Sequence, residues 1–159
     1  MMAAHTLTEA LSELAQSQRN FLNLLDRADE TALYQNADAE GWTPAMVMIH
    51  ISEARGFFAD ELKTILASPG ATVGRTIEDP HRLQTIADHG RDSPQEIRRR
   101  LETSHETVID ALSGVGDDDL TLTCQYVNRG SLTLAEFIQR LLVGHDKTHV
   151  QQVKELLNA

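Results

Sequence analysis

Two histidines near the C-terminus, His145 and His149, stand four residues apart among apolar residues at helical spacing. On an α-helix, positions i and i+4 share one face with Cβ atoms roughly 5–6 Å apart, so both imidazoles can bind one metal ion. The same helical steps place Ile138, Leu141 and Val153 on that face, which predicts that the two histidines look into the protein. Because a polar group inside a protein needs a partner, the pattern favours a buried metal site.

A third histidine, His50, lies on the apolar face of another predicted helix. A single histidine on such a face is more often a hydrogen-bonded core residue than a metal ligand. Three inward histidines, two of them one helical turn apart, favour a metal site formed by His50, His145 and His149. His105, on the inner face of the third long helix, is the competing candidate ligand. Three imidazoles would leave at least one coordination position open, which is typical of catalytic rather than structural sites.

Two polar side chains could orient the histidine ligands. Glu53 lies about one helical turn after His50, and Gln152 lies about one turn after His149 on the same face. Either side chain could accept a hydrogen bond from an imidazole N–H, but an amide cannot act as a base. Asp146 points roughly 100° away from the preceding histidine, so the sequence contains no clear general base. A bound water or thiolate would then have to supply the nucleophile.

Apolar residues at three- and four-residue steps predict four long helices, of which the later three begin with strong capping signals. The predicted helices cover about 7–30, 44–68, 94–114 and 134–158. A short helix is predicted over 80–87, and the β-favouring run 120–127 predicts a small hairpin without a sheet. These elements predict an all-α fold, a four-helix bundle with long connections and a small hairpin before the last helix.

Composition excludes several classes of function. The chain has 159 residues, which predicts one domain over 1–159, and its formal charge of −10 opposes binding to nucleic acid or anionic lipid. No apolar run approaches the roughly 18–20 residues that cross a bilayer, so no membrane partner is expected. A single cysteine, Cys124, and an N-terminus without a basic and apolar signal predict a cytoplasmic protein.

These motifs in combination resemble the DinB/YfiT-like superfamily of bacterial metal-binding bundles. The resemblance is carried by Trp42-Thr43-Pro44, by His50, by His145-Asp146-Lys147-Thr148-His149 and by Gln152, and it spans nearly the whole chain. It implies a four-helix bundle that holds a metal through His50, His145 and His149, and it implies a homodimer. Similar proteins include metal-dependent hydrolases and enzymes that use bacillithiol, mycothiol or glutathione.

Two functional classes follow from the residues and the resemblance. The first is a metal-dependent enzyme for a small-molecule substrate, in which zinc, nickel or iron activates a water or a low-molecular-weight thiol. Thiol S-transfer predicts a basic cleft, for which Arg55, Arg129 or Arg140 are candidates, whereas hydrolysis predicts a nearby carboxylate. The alternative class is a non-catalytic metal-binding or structural dimeric bundle, which the lack of a clear base leaves open.

Overall fold

The computed structural model describes residues 7–158 and is mostly helical. In chain order its elements are α1 (Leu7–Arg27), α2 (Glu30–Gln35), α3 (Pro44–Ala67), β1 (Thr72–Val73), α4 (Pro80–His89), α5 (Pro94–Leu112), a 3₁₀ helix (Asp117–Thr121), β2 (Thr123–Tyr126), β3 (Gly130–Thr133), α6 (Leu134–Phe137), a π-helical segment (Ile138–Val143) and α7 (Gly144–Leu157). The predicted all-α four-helix bundle is confirmed, with α6, the π-helical segment and α7 forming the fourth helix. Within residues 7–158, no helix combines the length and the apolar character needed to span a bilayer.

Side-chain caps define where the later three bundle helices begin. Thr43 and Ser93 each accept a hydrogen bond at 3.2 Å from the backbone N–H three residues later, and a proline follows each of them. Thr133 and Glu136 form a reciprocal capping box at the start of the fourth helix. These caps satisfy backbone N–H groups that have no partner inside the helix, so the starting points are determined locally.

The bundle has a polar layer between two apolar clusters. Helix α3 packs against α5 and α7, and α1 packs against the same two helices, so α1 and α3 lie diagonally opposite. One cluster lies towards the small sheet and includes Phe58 and Phe137, and the other lies towards the start of α3 and includes Phe21 and Met48. His50, His145, His149 and a buried arginine–aspartate pair lie between these clusters, at the level where α3 and α7 face each other.

The prediction of a hairpin without a sheet is wrong. Strands β2 and β3 form the expected antiparallel hairpin, but β1 pairs in parallel with β2 and completes a three-stranded sheet. In that pairing Thr72 lies opposite Gln125, and Val73 lies opposite Tyr126. A two-residue strand has no readable periodicity, and its partner is far away in the sequence, so only tertiary structure brings the two together.

The first helix also ends earlier than predicted. Helix α1 ends at Arg27 rather than near residue 30, and the short helix α2 begins at Glu30. Asp29 caps this helix by accepting a hydrogen bond from the Ala32 N–H at 3.2 Å. Because aspartate competes for backbone N–H groups, it favours a helix start over a helix interior at this position.

Candidate metal centre

Three histidines from two helices meet in the polar layer. His50 comes from α3, His145 and His149 come from α7, and one ring nitrogen of each lies within 4.8 Å of the others. The Nε2 atoms of His50 and His145 are 3.3 Å apart. Two nitrogens bound to one tetrahedral zinc ion at about 2.0–2.1 Å would be separated by about 3.3 Å, so the arrangement fits a shared metal. The competing candidate, His105, lies in a separate groove between α1 and α5.

Gln152 contacts His149 and determines which ring nitrogen is available. The Nδ1 atom of His149 lies 2.7 Å from Gln152 Oε1, and Gln152 Nε2 donates to Asp38 Oδ2 at 3.0 Å. Because a carboxylate only accepts, this contact orients the amide, and the amide oxygen in turn requires a proton on His149 Nδ1. The lone pair of His149 therefore lies on Nε2, as a metal ligand requires. Sequence reasoning found Gln152 but missed Asp38, which no local spacing connects to α7.

Aromatic packing orients the other two histidines. The ring of His50 meets the edge of Trp42 at a centroid distance of 5.4 Å, and the ring of His145 meets that of Phe58 at 5.4 Å. His50 Nδ1 is buried and has no hydrogen-bond partner within the described part of the chain. The position of His50 is therefore set by shape rather than by a hydrogen bond to its outer nitrogen.

Burial keeps the three imidazoles neutral. It lowers the pKa of His50 to about 3, with further lowering from His149 and from the nearby Arg82 and Arg75. Burial also lowers the pKa of His145 well below its ordinary value and lowers that of His149, although the Gln152 contact partly offsets the effect on His149. Neutral imidazole is the form that binds metal, so no deprotonation cost opposes metal binding at neutral pH.

Glu53, predicted as a possible neighbour of His50, makes different contacts. Its carboxylate forms a two-pronged ion pair with Arg75, in which Oε2 lies 2.7 Å from Nη1, and it also lies 3.0 Å from His81 Nδ1. The same Nη1 of Arg75 also donates to Asp79 Oδ2, at 2.8 Å. Glu53 thus pairs with residues in and next to the connection between β1 and α4, and it does not contact a ring nitrogen of the cluster.

The cluster lies at the base of a cavity of about 470 Å³ with a basic lining. Arg75, Arg82 and Arg129 line it together with the three histidines, and its described lining contains no aspartate or glutamate. Of the arginines considered from sequence, only Arg129 is in this lining. Arg55 is buried against Asp146, and Arg140 is exposed and paired with Glu136. Because Arg75 pairs with Glu53 and Asp79, the positive charge next to the candidate metal ligands comes mainly from Arg82 and Arg129.

A π-helical segment immediately precedes the histidine pair of α7. It covers Ile138–Val143, and a Cβ added to Gly144 would lie only 3.1 Å from the Gln139 carbonyl oxygen. Such a segment inserts an extra residue into a helical turn, shifts the following side chains around the axis and often occurs at functional sites. After this segment, two adjacent residues point in different directions. His145 lines the cavity, and Asp146 pairs with the buried Arg55.

Glu61 is a buried carboxyl group next to the cavity wall. It accepts hydrogen bonds from the Gly74 N–H and from the Tyr126 hydroxyl at 3.3 Å, and only 6% of the residue is exposed. Burial raises the pKa of Glu61 to about 7, from an ordinary value of 4.5. The folded chain therefore binds the carboxyl proton of Glu61 more tightly than the unfolded chain does. The resulting stability is fully present below pH 4.5 and is lost as the pH rises through about 7.

Replacing Glu61 with glutamine is expected to stabilise the protein at alkaline pH. Relative to wild type, the free energy of unfolding at pH 8 should rise by about 2–3 kcal/mol, with a much smaller change at pH 5. The measurement is urea denaturation of metal-free protein at both pH values, with the exposed Glu102→Gln variant as the control. Comparing variant with wild type removes the opposing pH dependence of the buried histidines. An equal effect at both pH values would contradict the assignment.

The fold and the site together define a class of protein: a four-helix bundle that brings histidines of its second and fourth bundle helices together as a candidate metal site. The family model of the DinB superfamily matches residues 13–153. The chain therefore belongs to the DinB superfamily, as its motifs predict. No curated protein sequence matches the chain.

Solved structures of similar proteins have the same fold. YfiT from Bacillus subtilis, described as a probable metal-dependent hydrolase with an unusual four-helix bundle topology, matches with a TM-score of 0.82 and 16% identity over 98% of this chain and 88% of its own. A mycothiol-dependent maleylpyruvate isomerase matches with a TM-score of 0.71 and 16% identity, over 96% of this chain and 63% of its own. The four-helix bundle protein TT2238 matches with a TM-score of 0.69 and 20% identity, over 94% and 99% of the two chains. At these identities the likeness shows the fold.

Proposed function

We propose that the protein is a metal-dependent enzyme that binds a divalent transition metal through His50, His145 and His149. The observation that carries the proposal is the convergence of three neutral imidazoles at the base of a cavity large enough for a small molecule. When bound, zinc, nickel or iron would supply a Lewis acid that lowers the pKa of a water or thiol in the open position.

The residues around the cluster have separate roles in this proposal. Gln152, held by Asp38, keeps His149 in the tautomer that presents Nε2. Trp42 and Phe58 hold the other two rings by edge contacts. These contacts restrict the three rings, which would limit the conformational entropy lost on metal binding.

The lining of the cavity favours thiol S-transfer over hydrolysis. General-base hydrolysis needs a carboxylate or a similar base within hydrogen-bonding reach of the water, and the described lining contains neither aspartate nor glutamate. A thiol has an ordinary pKa of about 8.5, and neighbouring arginines lower it, so a thiolate forms without a separate base. The similar structures do not choose between the two reactions, since one is a mycothiol-dependent isomerase and another is described as a probable metal-dependent hydrolase. The thiol would be of low molecular weight, such as bacillithiol, mycothiol or glutathione.

A thiol-consumption assay on metal-loaded protein tests the proposal. Zinc-, nickel- or iron-loaded protein is incubated with each thiol and a panel of electrophiles, and the free thiol that remains is measured. We expect metal-dependent turnover that is lost on chelation and in His149→Ala but kept in His105→Ala, whose histidine lies outside the cluster. Circular dichroism should show that chelated protein stays helical, because the apolar clusters do not depend on the metal.

Two results would favour the alternative, a non-catalytic metal-binding or structural bundle. The first is stoichiometric metal binding without consumption of any thiol or hydrolysis of any electrophile. The second is loss of the helical signal at room temperature on chelation, which would make the metal structural. The homodimer and the cytoplasmic location stay predictions.

A further inference from the structure

Arg82 differs from the other arginines that are at least partly buried, because it has no acidic partner among the described residues. It donates to the Ile77 carbonyl oxygen at 2.7 Å, and its guanidinium lies 5.2 Å from the centre of the Trp42 ring. The other partly or fully buried arginines each form an ion pair: Arg55 with Asp146, Arg75 with Glu53 and Asp79, Arg98 with Asp26, and Arg100 with Asp92.

The surroundings of Arg82 do not neutralise its charge. Burial lowers the pKa of Arg82, and repulsion from Arg75 lowers it further. Glu53, Asp79 and Glu40 act in the opposite direction, but none of them contacts the guanidinium. A partly desolvated cation without a counterion costs free energy, which an anion at this position would recover.

Arg82 belongs to the same cavity as the histidine cluster. Trp42 lies between them, since its ring contacts the Arg82 guanidinium and also meets His50 at a centroid distance of 5.4 Å. Arg129, on the turn between β2 and β3, lines the cavity as well and forms no ion pair within residues 7–158. In a chain of net charge −10, this cavity is a local positive region within a field that repels anions elsewhere.

We propose that Arg82, assisted by Arg129, binds a carboxylate group of the substrate, so that the cavity takes small organic acids. The inference rests on the proposed function, because it places the reacting part of that acid at the histidine cluster. A guanidinium offers two parallel N–H donors that match the two oxygens of a carboxylate, and its contact with Trp42 holds this fork in one plane. A carboxylate on the electrophile and one on the thiol would be recognised by the same chemistry.

Succinate binding to zinc-loaded protein tests the proposal without requiring turnover. Binding is measured by isothermal titration calorimetry and by the fluorescence of Trp42, the only tryptophan of the chain. We expect saturable binding of succinate and no comparable binding of succinamide, its uncharged analogue. Arg82→Gln should weaken succinate binding by roughly ten- to a hundredfold, because a charge-assisted hydrogen bond is lost. Arg82→Lys should weaken it less, because the charge is kept. Arg129→Gln should also weaken it less, because Arg129 only assists. Circular dichroism verifies the fold of each variant.

Arg140→Gln is the matched control, because Arg140 is exposed, pairs with Glu136 and lies outside the cavity lining. Repeating the titration with glutathione shows whether the carboxylate belongs to the thiol, in which case Arg82→Gln weakens glutathione binding too. Unchanged succinate affinity in Arg82→Gln, or equal binding of succinamide, would overturn the proposal.

Metal content, measured in the same samples, separates the two proposals. Succinate binding that depends on Arg82 in a protein that takes up no metal would keep the carboxylate site and reject the metal-dependent function. If the protein takes up zinc but succinate affinity does not change in Arg82→Gln, the anion contacts the metal alone. That result would keep the metal site and reject the carboxylate site.

Discussion

Replacing His145 with alanine is expected to reduce metal content from about one ion per chain to a small fraction of that value. His145 is one of the three candidate ligands, and its ring centre lies 5.1 Å from that of His50 and 4.5 Å from that of His149. Removing it leaves two imidazoles, fewer than the three protein ligands that catalytic zinc sites use. Elemental analysis after metal loading and dialysis measures the loss.

A graded series of variants strengthens this test. Gln152→Ala should weaken metal affinity by about 10- to 100-fold, because the amide orients a ligand without binding the metal. His105→Ala, outside the cluster, should leave affinity unchanged and serves as the matched histidine control. Competition with a chelating dye ranks the variants. Wild-type metal content in His145→Ala would rule out the proposed ligand set.

Replacing Asp146 with asparagine is expected to destabilise the folded protein by about 3–5 kcal/mol. Asp146 and Arg55 form an ion pair with Nη2–Oδ2 and Nε–Oδ1 distances of 3.0 and 3.4 Å, and each side chain is only 3% exposed. Arg55 also donates to the Leu101 carbonyl oxygen and to Ser104 Oγ, both at 3.1 Å. The pair thus connects α3, α5 and α7, and asparagine would leave a buried guanidinium without its counterion.

Urea denaturation of metal-free protein measures this effect without interference from metal bound at the adjacent candidate site. The loss is large against the 5–15 kcal/mol that stabilises a typical domain. Asp26→Asn removes the exposed partner of the partly buried Arg98 and should cost less than about 1 kcal/mol, because solvent screens this pair. The double variant Arg55→Met with Asp146→Leu should recover most of the lost stability, because it removes both charges at once. A cost below 1 kcal/mol for Asp146→Asn would contradict the assignment of a buried pair.

The features that could be predicted from sequence depend on residues close together in the chain. Helix starts at Thr43, Ser93 and Thr133 follow from capping, in which a side chain satisfies a backbone group three residues away. The pairing of His145 with His149 follows from helical periodicity, which also places Gln152 beside His149. Each of these interactions spans one helical turn, so local geometry alone determines it.

Other features depend on contacts between distant segments and were decided only by tertiary structure. Three contacts join segments that are far apart in the chain. They are the parallel pairing of β1 with β2, the hydrogen bond from Gln152 to Asp38 and the ion pair between Glu53 and Arg75. That Arg82 forms no ion pair within residues 7–158 has the same origin, because the nearby carboxylates Glu53 and Asp79 pair with Arg75 instead. The sequence by itself determined the helices and the spacing of the histidines. The packing of α3, α4 and α7 decided which charges are neutralised and which face the cavity, because side-chain pairing between helices depends on distances that sequence spacing does not contain.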